Sequence, residues 1–399
     1  MHYIRLLRPP KVTRQTGLHL ELLFTITTDL GDSFLQPDVP LDLQITAEIN
    51  ESSNRITMNL ANKGQIMWQS GMRVAKPKVA IPRPLQAALG SGSKINICIS
   101  ASKEMSADGG QSILSHAEKG QGQGQIMPVW VALSSSNQGV HVSTRRIFLD
   151  DAGPGKYLVQ VEEEIGESIA RHIWDAGVLA MCSIAGAYLC PDLECSQQTL
   201  PRTIRATLSS KSSVNILELG CGVGIFGVGL ATIFPEMQKE GLEKCTIMMT
   251  DLDEAEERAR SNMQRIATSI SSRDMSLLYE NLDWEHGRKE RFGHQVASRH
   301  WDLIIISDCT YNVDMLPALV ETLGALESSS RSKQKSGATR TKIFLATKPR
   351  HASERAFFDL MADNKWCVQD SQVLNLAVLG HEEESIELYL FQRRQLPGT

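Results

Sequence analysis

No stretch of the 399-residue chain approaches the roughly 18 consecutive apolar residues that a membrane span requires. The most apolar segment, 178–190, is shorter and is interrupted by Ser183 and Gly186. The first residues carry Arg5, Arg8, Lys11 and Arg14 without the apolar core of a secretion signal, and Pro9 and Pro10 break any presequence-like helix. The sequence therefore predicts a cytoplasmic or nuclear protein with no membrane partner. Cysteine is sparse and irregular: of eight residues, the nearest two are Cys190 and Cys195, and no second pair stands at zinc-ligand spacing. Neither a disulfide framework nor a metal site is expected. Clustered positive charge is missing as well. The net charge is −5, and the residues after Asp150 hold 26 Lys and Arg against 35 Asp and Glu, a poor match for nucleic acid. A basic, lysine-bearing protein segment suits that half better. The histidines His172, His300 and His351 lack the Ser, Cys or acid spacing of a hydrolase triad.

What the chain does have is ordinary globular composition, 42% hydrophobic and 22% charged, and a length that suits two domains. Residues 1–154 read as a β-rich domain, with strand patterns at 19–28, 41–49, 95–99, 128–133 and 140–149 and almost no helical periodicity. Within it, residues 101–125 are rich in Ser, Gly and Gln and predict a mobile loop. From 155 to 399 the pattern changes to short apolar runs alternating with helical segments: strands near 214–219, 246–250, 276–282, 301–307, 342–347 and 385–392, with helices from 224, 254, 313 and 352. Such alternation predicts an α/β fold, a mainly parallel sheet with helices on both faces. Two polar stretches, 286–300 and 328–340, read as surface insertions.

The most informative segment is NILELGCGVGIFG at 215–227, a buried strand followed by Gly220, Gly222, Gly224 and Gly227 and then a helix. Glycine lets such a turn bend sharply and approach a ligand closely, and the helix beyond offers unpaired N–H groups. Gly222, Gly224 and Gly227 also satisfy dinucleotide spacing, so an NAD-dependent oxidoreductase is one reading. Glu218, just before the first glycine, would repel a pyrophosphate and attract a cationic amine. Asp251, after the next strand, could hold the ribose diol of either ligand.

The run from Glu218 to Gly224 followed by Asp251 resembles the adenosylmethionine-binding half of the seven-strand class I methyltransferases. Three further segments resemble family 16 of that class, which includes many protein-lysine methyltransferases: Trp174 to Gly177, Asn281 to Trp284, and Ser307 to Tyr311. The likeness covers roughly 157–393. It implies a seven-stranded Rossmann-like methyltransferase domain whose cofactor is S-adenosyl-L-methionine. Glu218, Gly220, Gly222 and Gly224 would hold the amino acid end, Asp251 the ribose, Asp283 and Trp284 the adenine, with Trp174 and Ser307 bordering the cofactor. Asp308 and Tyr311 would bind substrate and carry catalysis, although Asn312 stands where the family often has an acid. By itself Asp308 could instead cap the helix near Val313. The implied reaction is methylation of a lysine in a non-histone protein by a monomeric enzyme, with a small-molecule N-methyltransferase as the alternative.

Overall fold

The computed structural model describes residues 1–14, 17–51, 54–119, 125–133, 141–150, 155–166, 169–190, 199–267, 273–333, 340–376 and 384–394. Its internal packing divides the chain into two compact units. The first comprises Met1–Phe148, Gln160–His172 and Leu376–Glu383; the second comprises Leu149–Val159, Ile173–Asn375 and Glu384–Thr399. A single cut after 154, as the sequence suggested, becomes an interleaved division.

The first unit is built on antiparallel strands. Strand Lys94–Ser100 pairs with Gln44–Glu51 on one side and Val129–Leu133 on the other. The registers put Ile95 beside Ile49 and Leu133, Ile97 beside Ala47 and Val131, and Ile99 beside Ile45 and Val129. A period-2 pattern thus becomes three cross-strand apolar rows on one buried face. Trp68 is wholly buried in that core and donates its indole N–H to the carbonyl of Leu35 at 2.9 Å. A buried ion pair lies in this unit too: Arg145 Nε donates to Glu163 at 2.7 Å, and its Nη1 donates to the carbonyl of Pro128 at 2.8 Å.

Part of the segment expected to be a mobile loop, 101–125, is instead the helix Gly110–Lys119. Ile113 and Leu114 supply its buried anchor, which the surrounding Ser, Gly and Gln conceal when composition is averaged. Residues 120–124 lie outside the described residues. The helix Arg83–Ser91 was also unexpected; Pro sits in its first turn and Gly92 takes a left-handed φ of +75° just beyond its end.

In the second unit, β1 (Ser213–Leu219), β2 (Lys244–Asp251), β3 (Met275–Asn281), β4 (Leu303–Ser307), β5 (Lys342–Thr347), β6 (Trp366–Leu376) and β7 (Glu384–Arg393) form one sheet. Their order is 3-2-1-4-5-7-6. The pairs from β3 through β5 are parallel, and β7 runs antiparallel to β5. Ile216 and Leu217, Ile247 to Met249 and Leu303 to Ile306 are nearly free of solvent, as strands covered on both faces require. The helices are α1 (Asp175–Leu189), α2 (Thr199–Ser209), α3 (Ile225–Lys239), α4 (Asp253–Ala267), α5 (Trp284–Gly287), α6 (His294–Ala297), α7 (Leu316–Lys333) and α8 (Ala356–Asp363). Helix α4 starts with Asp253, Glu254 and Glu256 and has Arg265 in its last turn, charges that complement the helix dipole.

The two stretches expected to be surface insertions are partly structural. Val296 of α6 is buried in the core, and α7 continues to Lys333 because Ser330 is buried and accepts the Trp301 N–H at 3.0 Å. Residues 334–339 of the second stretch lie outside the described residues.

Candidate active site

Parallel pairing aligns the carboxyl ends of β1, β2 and β4, the edge where open α/β sheets hold ligands. The β1 to α3 turn takes left-handed φ values of +67°, +53° and +82° at Gly220, Gly222 and Gly224. The Gly222 N–H donates to Asp251 Oδ2 at 2.7 Å, and the Leu252 N–H donates to Oδ1 at 2.7 Å. Asp251 therefore ties the end of β2 to the turn. Each carboxylate oxygen keeps a second lone pair for a hydroxyl. Burial raises the pKa of Asp251, against the pull of those two N–H groups.

Glu218 is 1% exposed. Its Oε2 accepts the Gly227 N–H at 3.0 Å, while its Oε1 has no hydrogen-bond partner among the described residues. A buried carboxylate oxygen without a donor is costly, and burial pushes this acid up to about 8. An amino acid ammonium would supply both the donor and the countercharge. The glycines leave no spare room beneath: a Cβ on Gly224 or Gly227 would lie 2.9 or 2.5 Å from Met249 Sδ. This glycine loop with its orphaned acid fits the methionine end of S-adenosylmethionine.

The segment after β4 is pinned to the same turn. Cys309 Sγ makes weak hydrogen bonds to the carbonyls of Leu219 at 3.4 Å and Ser307 at 3.2 Å, and a Cβ on Gly220 would come within 2.4 Å of it. Thr310 and Thr347 share a hydroxyl hydrogen bond of 2.8 Å. Asp308, at φ +55°, caps no helix, since Asn312 occupies the N-cap of the short turn Val313–Met315. Its oxygens are taken by the guanidinium of Arg350, at 2.7 and 3.0 Å, and by the Lys348 N–H at 3.3 Å. Tyr311 is 55% exposed, and its phenol pKa is raised by partial burial and by Cys309, Asp251, Glu254 and Asp308 around it.

The remaining expected residues lie on neighbouring elements of this unit. Asp283 caps α5 by accepting the Glu285 N–H at 2.8 Å, and the Trp284 ring passes 3.6 Å from the Cβ position of Gly220. Trp174 precedes α1 under the Arg350 guanidinium, 5.6 Å from the ring centroid. Gly177 lets α1 approach Ser307, whose Oγ would be 3.4 Å from an added Cβ. Sequence reasoning missed Arg350 and Lys348, whose only signal was position, just past β5, which motif matching does not read. Met249 reads from the sequence as core filling and is buried in the structure, and Cys309 lies within the Ser307 to Tyr311 segment without an assigned role. Lys348 is itself nearly buried, with its Nζ 2.9 Å from Asp175 and 2.8 Å from Glu384. No group of three or more metal-ligating side chains occurs among the described residues.

A 3-2-1-4-5-7-6 sheet with one reversed strand, its glycine turn closed over a buried acid, is the architecture of class I S-adenosylmethionine-dependent methyltransferases. The NAD reading falls away. The chain belongs to methyltransferase family 16, the lysine methyltransferase family, whose sequence pattern matches residues 155–364, more than half of it. A protein of the UPF0665 family from Schizosaccharomyces pombe is 26% identical, over 98% of this chain and 99% of that protein. Among solved structures, TYW2 of P. horikoshii in complex with MeSAdo is 13% identical with a TM-score of 0.32, covering 73% of this chain and 87% of that one. A SAM-dependent methyltransferase of Methanosarcina mazei is 12% identical with a TM-score of 0.30, covering 46% and 93%.

Proposed function

We propose that this methyltransferase acts on a lysine side chain of another protein. The observation that carries the reading is the match to a family described by lysine methylation, and the electrostatics of the site support it. Between Cys245 and Glu257 the chain holds Asp251, Asp253, Glu254, Glu256 and Glu257 and no Lys or Arg. After β4, Asp314 adds a further acid, while Asp302, Asp308 and Glu327 are matched by Lys211, Arg350 and Arg393. Asp251, Asp253, Glu254 and Asp314 stand at or after the carboxyl ends of β2 and β4, so a lysine approaching there meets a negative field.

S-adenosylmethionine supplies, when bound, a sulfonium methyl group open to in-line attack. Glu218 accepts hydrogen bonds from the cofactor ammonium, Asp251 from its ribose hydroxyls, and Trp284 offers a ring face beside the glycine turn. The acceptor nitrogen must lose a proton before it attacks. Tyr311 gives it an aromatic wall, and because that ring is half open to solvent, water can receive the proton. Asp308 works through the geometry of this segment, its charge being matched by Arg350.

The test is to incubate lysate of cells lacking the protein with purified enzyme and isotope-labelled S-adenosylmethionine, and to map the acceptor by mass spectrometry. Label on a lysine of one or a few proteins is expected. Label confined to small molecules, or to a residue other than lysine, would overturn the substrate assignment.

A further inference from the structure

We propose that Arg350 is a positioning residue for methyl transfer, the clasp that holds the segment Asp308 to Tyr311 in its working geometry. The inference rests on the lysine reading above and extends it to a residue for which the motifs assign no role. Three contacts converge on the one guanidinium. It grips both carboxylate oxygens of Asp308, at 2.7 and 3.0 Å. It donates to the Lys348 carbonyl at 3.3 Å, and the Lys348 N–H returns a hydrogen bond of 3.3 Å to the same carboxylate. It also lies over the Trp174 ring. The side chains are 14% and 5% exposed, so the pair is shielded from the screening that makes surface ion pairs worth little.

This geometry fixes a strained point. Asp308 is one of three non-glycine residues with positive φ among the described residues, and a fork gripping both its oxygens holds that conformation as a single ammonium cannot. Asp308 stands three residues before Tyr311, with Cys309 and Thr310 anchored between them, so the clasp holds the first residue of the short segment that presents the ring. The pair has an electrostatic consequence as well. With Arg350 in place Asp308 is neutralised; without it, a bare carboxylate would stand beside the approaching amine and favour its protonated, unreactive form.

Two substitutions separate geometry from charge. Arg350→Lys keeps the charge and loses the fork; Arg350→Gln loses both. Hydrogen exchange should quicken at 307–312 in both variants, by more than at 218–227, and affinity for S-adenosylhomocysteine should fall by much less than turnover does. This measurement needs no acceptor, so it stands even if the lysine reading fails. On the acceptor protein found as above, turnover should fall about tenfold or more in both variants, since an interaction serving the transition state has been removed. Only Arg350→Gln should also move the alkaline rise of the pH–rate profile to higher pH, and adding Asp308→Asn should return that profile towards wild type without restoring the rate. Unchanged exchange at 307–312, or full turnover in Arg350→Gln, would overturn the proposal. So would a loss of rate that merely tracks thermal stability with an unshifted profile.

Discussion

Replacing Gly220 with alanine tests whether the turn after β1 and the segment after β4 are one mechanical unit. Two costs follow from the structure. At φ +67° an alanine sits in the left-handed region at a penalty of roughly 1–2 kcal/mol. Its Cβ would also lie 2.4 Å from Cys309 Sγ, inside van der Waals contact. The sulfur is buried and held by surrounding carbonyls, so the whole segment must give way, at about 1–3 kcal/mol for overpacking. If half of that total, about 1–2.5 kcal/mol, falls on the binding-competent conformation, affinity for S-adenosylhomocysteine drops about five- to sixtyfold, at about 1.4 kcal/mol per decade. Adding Cys309→Ala removes the clashing sulfur, since the next nearest Cys309 atom, its Cβ, is 3.8 Å away. Calorimetric titration of the double variant should therefore recover about a decade of affinity, leaving only the backbone strain. A double variant as weak as Gly220→Ala alone would refute the contact as the cause. Wild-type affinity in the single variant would refute the reasoning altogether.

Glu218→Gln should weaken S-adenosylhomocysteine binding about ten- to a hundredfold, the worth of a hydrogen bond to a charged group. The pH dependence has a defined sign. With a pKa raised from 4.5 to about 8, Glu218 binds its proton more readily in the folded chain, so cofactor-free stability falls as pH climbs through that window. Cofactor affinity should rise over the same window, and thermal shift with calorimetry should find both trends flattened in Glu218→Gln. Asp308→Asn should lower turnover about tenfold while leaving cofactor affinity nearly intact; a wild-type rate would remove Asp308 from the acceptor site. Tyr311→Phe should retain most of the rate, because the ring forms the wall, and a collapse of turnover would show that the hydroxyl is used. In the first unit, Arg145→Met should cost about 3–5 kcal/mol in chemical denaturation, because it strands the fully buried Glu163, whose pKa burial raises but Arg145 and His172 pull well below the usual carboxylate range.

The strands of the methyltransferase unit were legible because parallel strands buried on both faces must be apolar throughout, and β5 was read to the residue at 342–347. β6 escaped because it is an edge strand that mixes polar and apolar side chains without a strict alternation, exposed at Val368 and Val373. Helix α2 carried a signal in Leu200, Ile204 and Leu208, spaced by four and all buried, but it is short and polar elsewhere. In the site, Glu218 and the glycines were readable because turn, strand and helix are adjacent in sequence. Arg350 was not. It lies 42 residues from Asp308, and only the pairing of β4 with β5 brings the two together. A residue at such a distance leaves no local pattern, so the occupation of Asp308 by an internal cation could emerge only from three dimensions.

Met249 changes what the glycines of the loop mean for comparing sequences. Its sulfur fills the hollow under Gly224 and Gly227 from the sheet side, so these two positions are constrained from below, by a neighbour within the fold, independently of any ligand above. At Gly227, where the backbone is helical, an added Cβ would also lie 2.9 Å from Glu218 Oε2, so a shorter side chain at Met249 would make room for alanine only if Glu218 moved as well. Gly224 would stay glycine for its φ of +82° whatever stood beneath it. Gly227 therefore joins the packing of the core to the placing of the cofactor acid, and alanine there should disturb both.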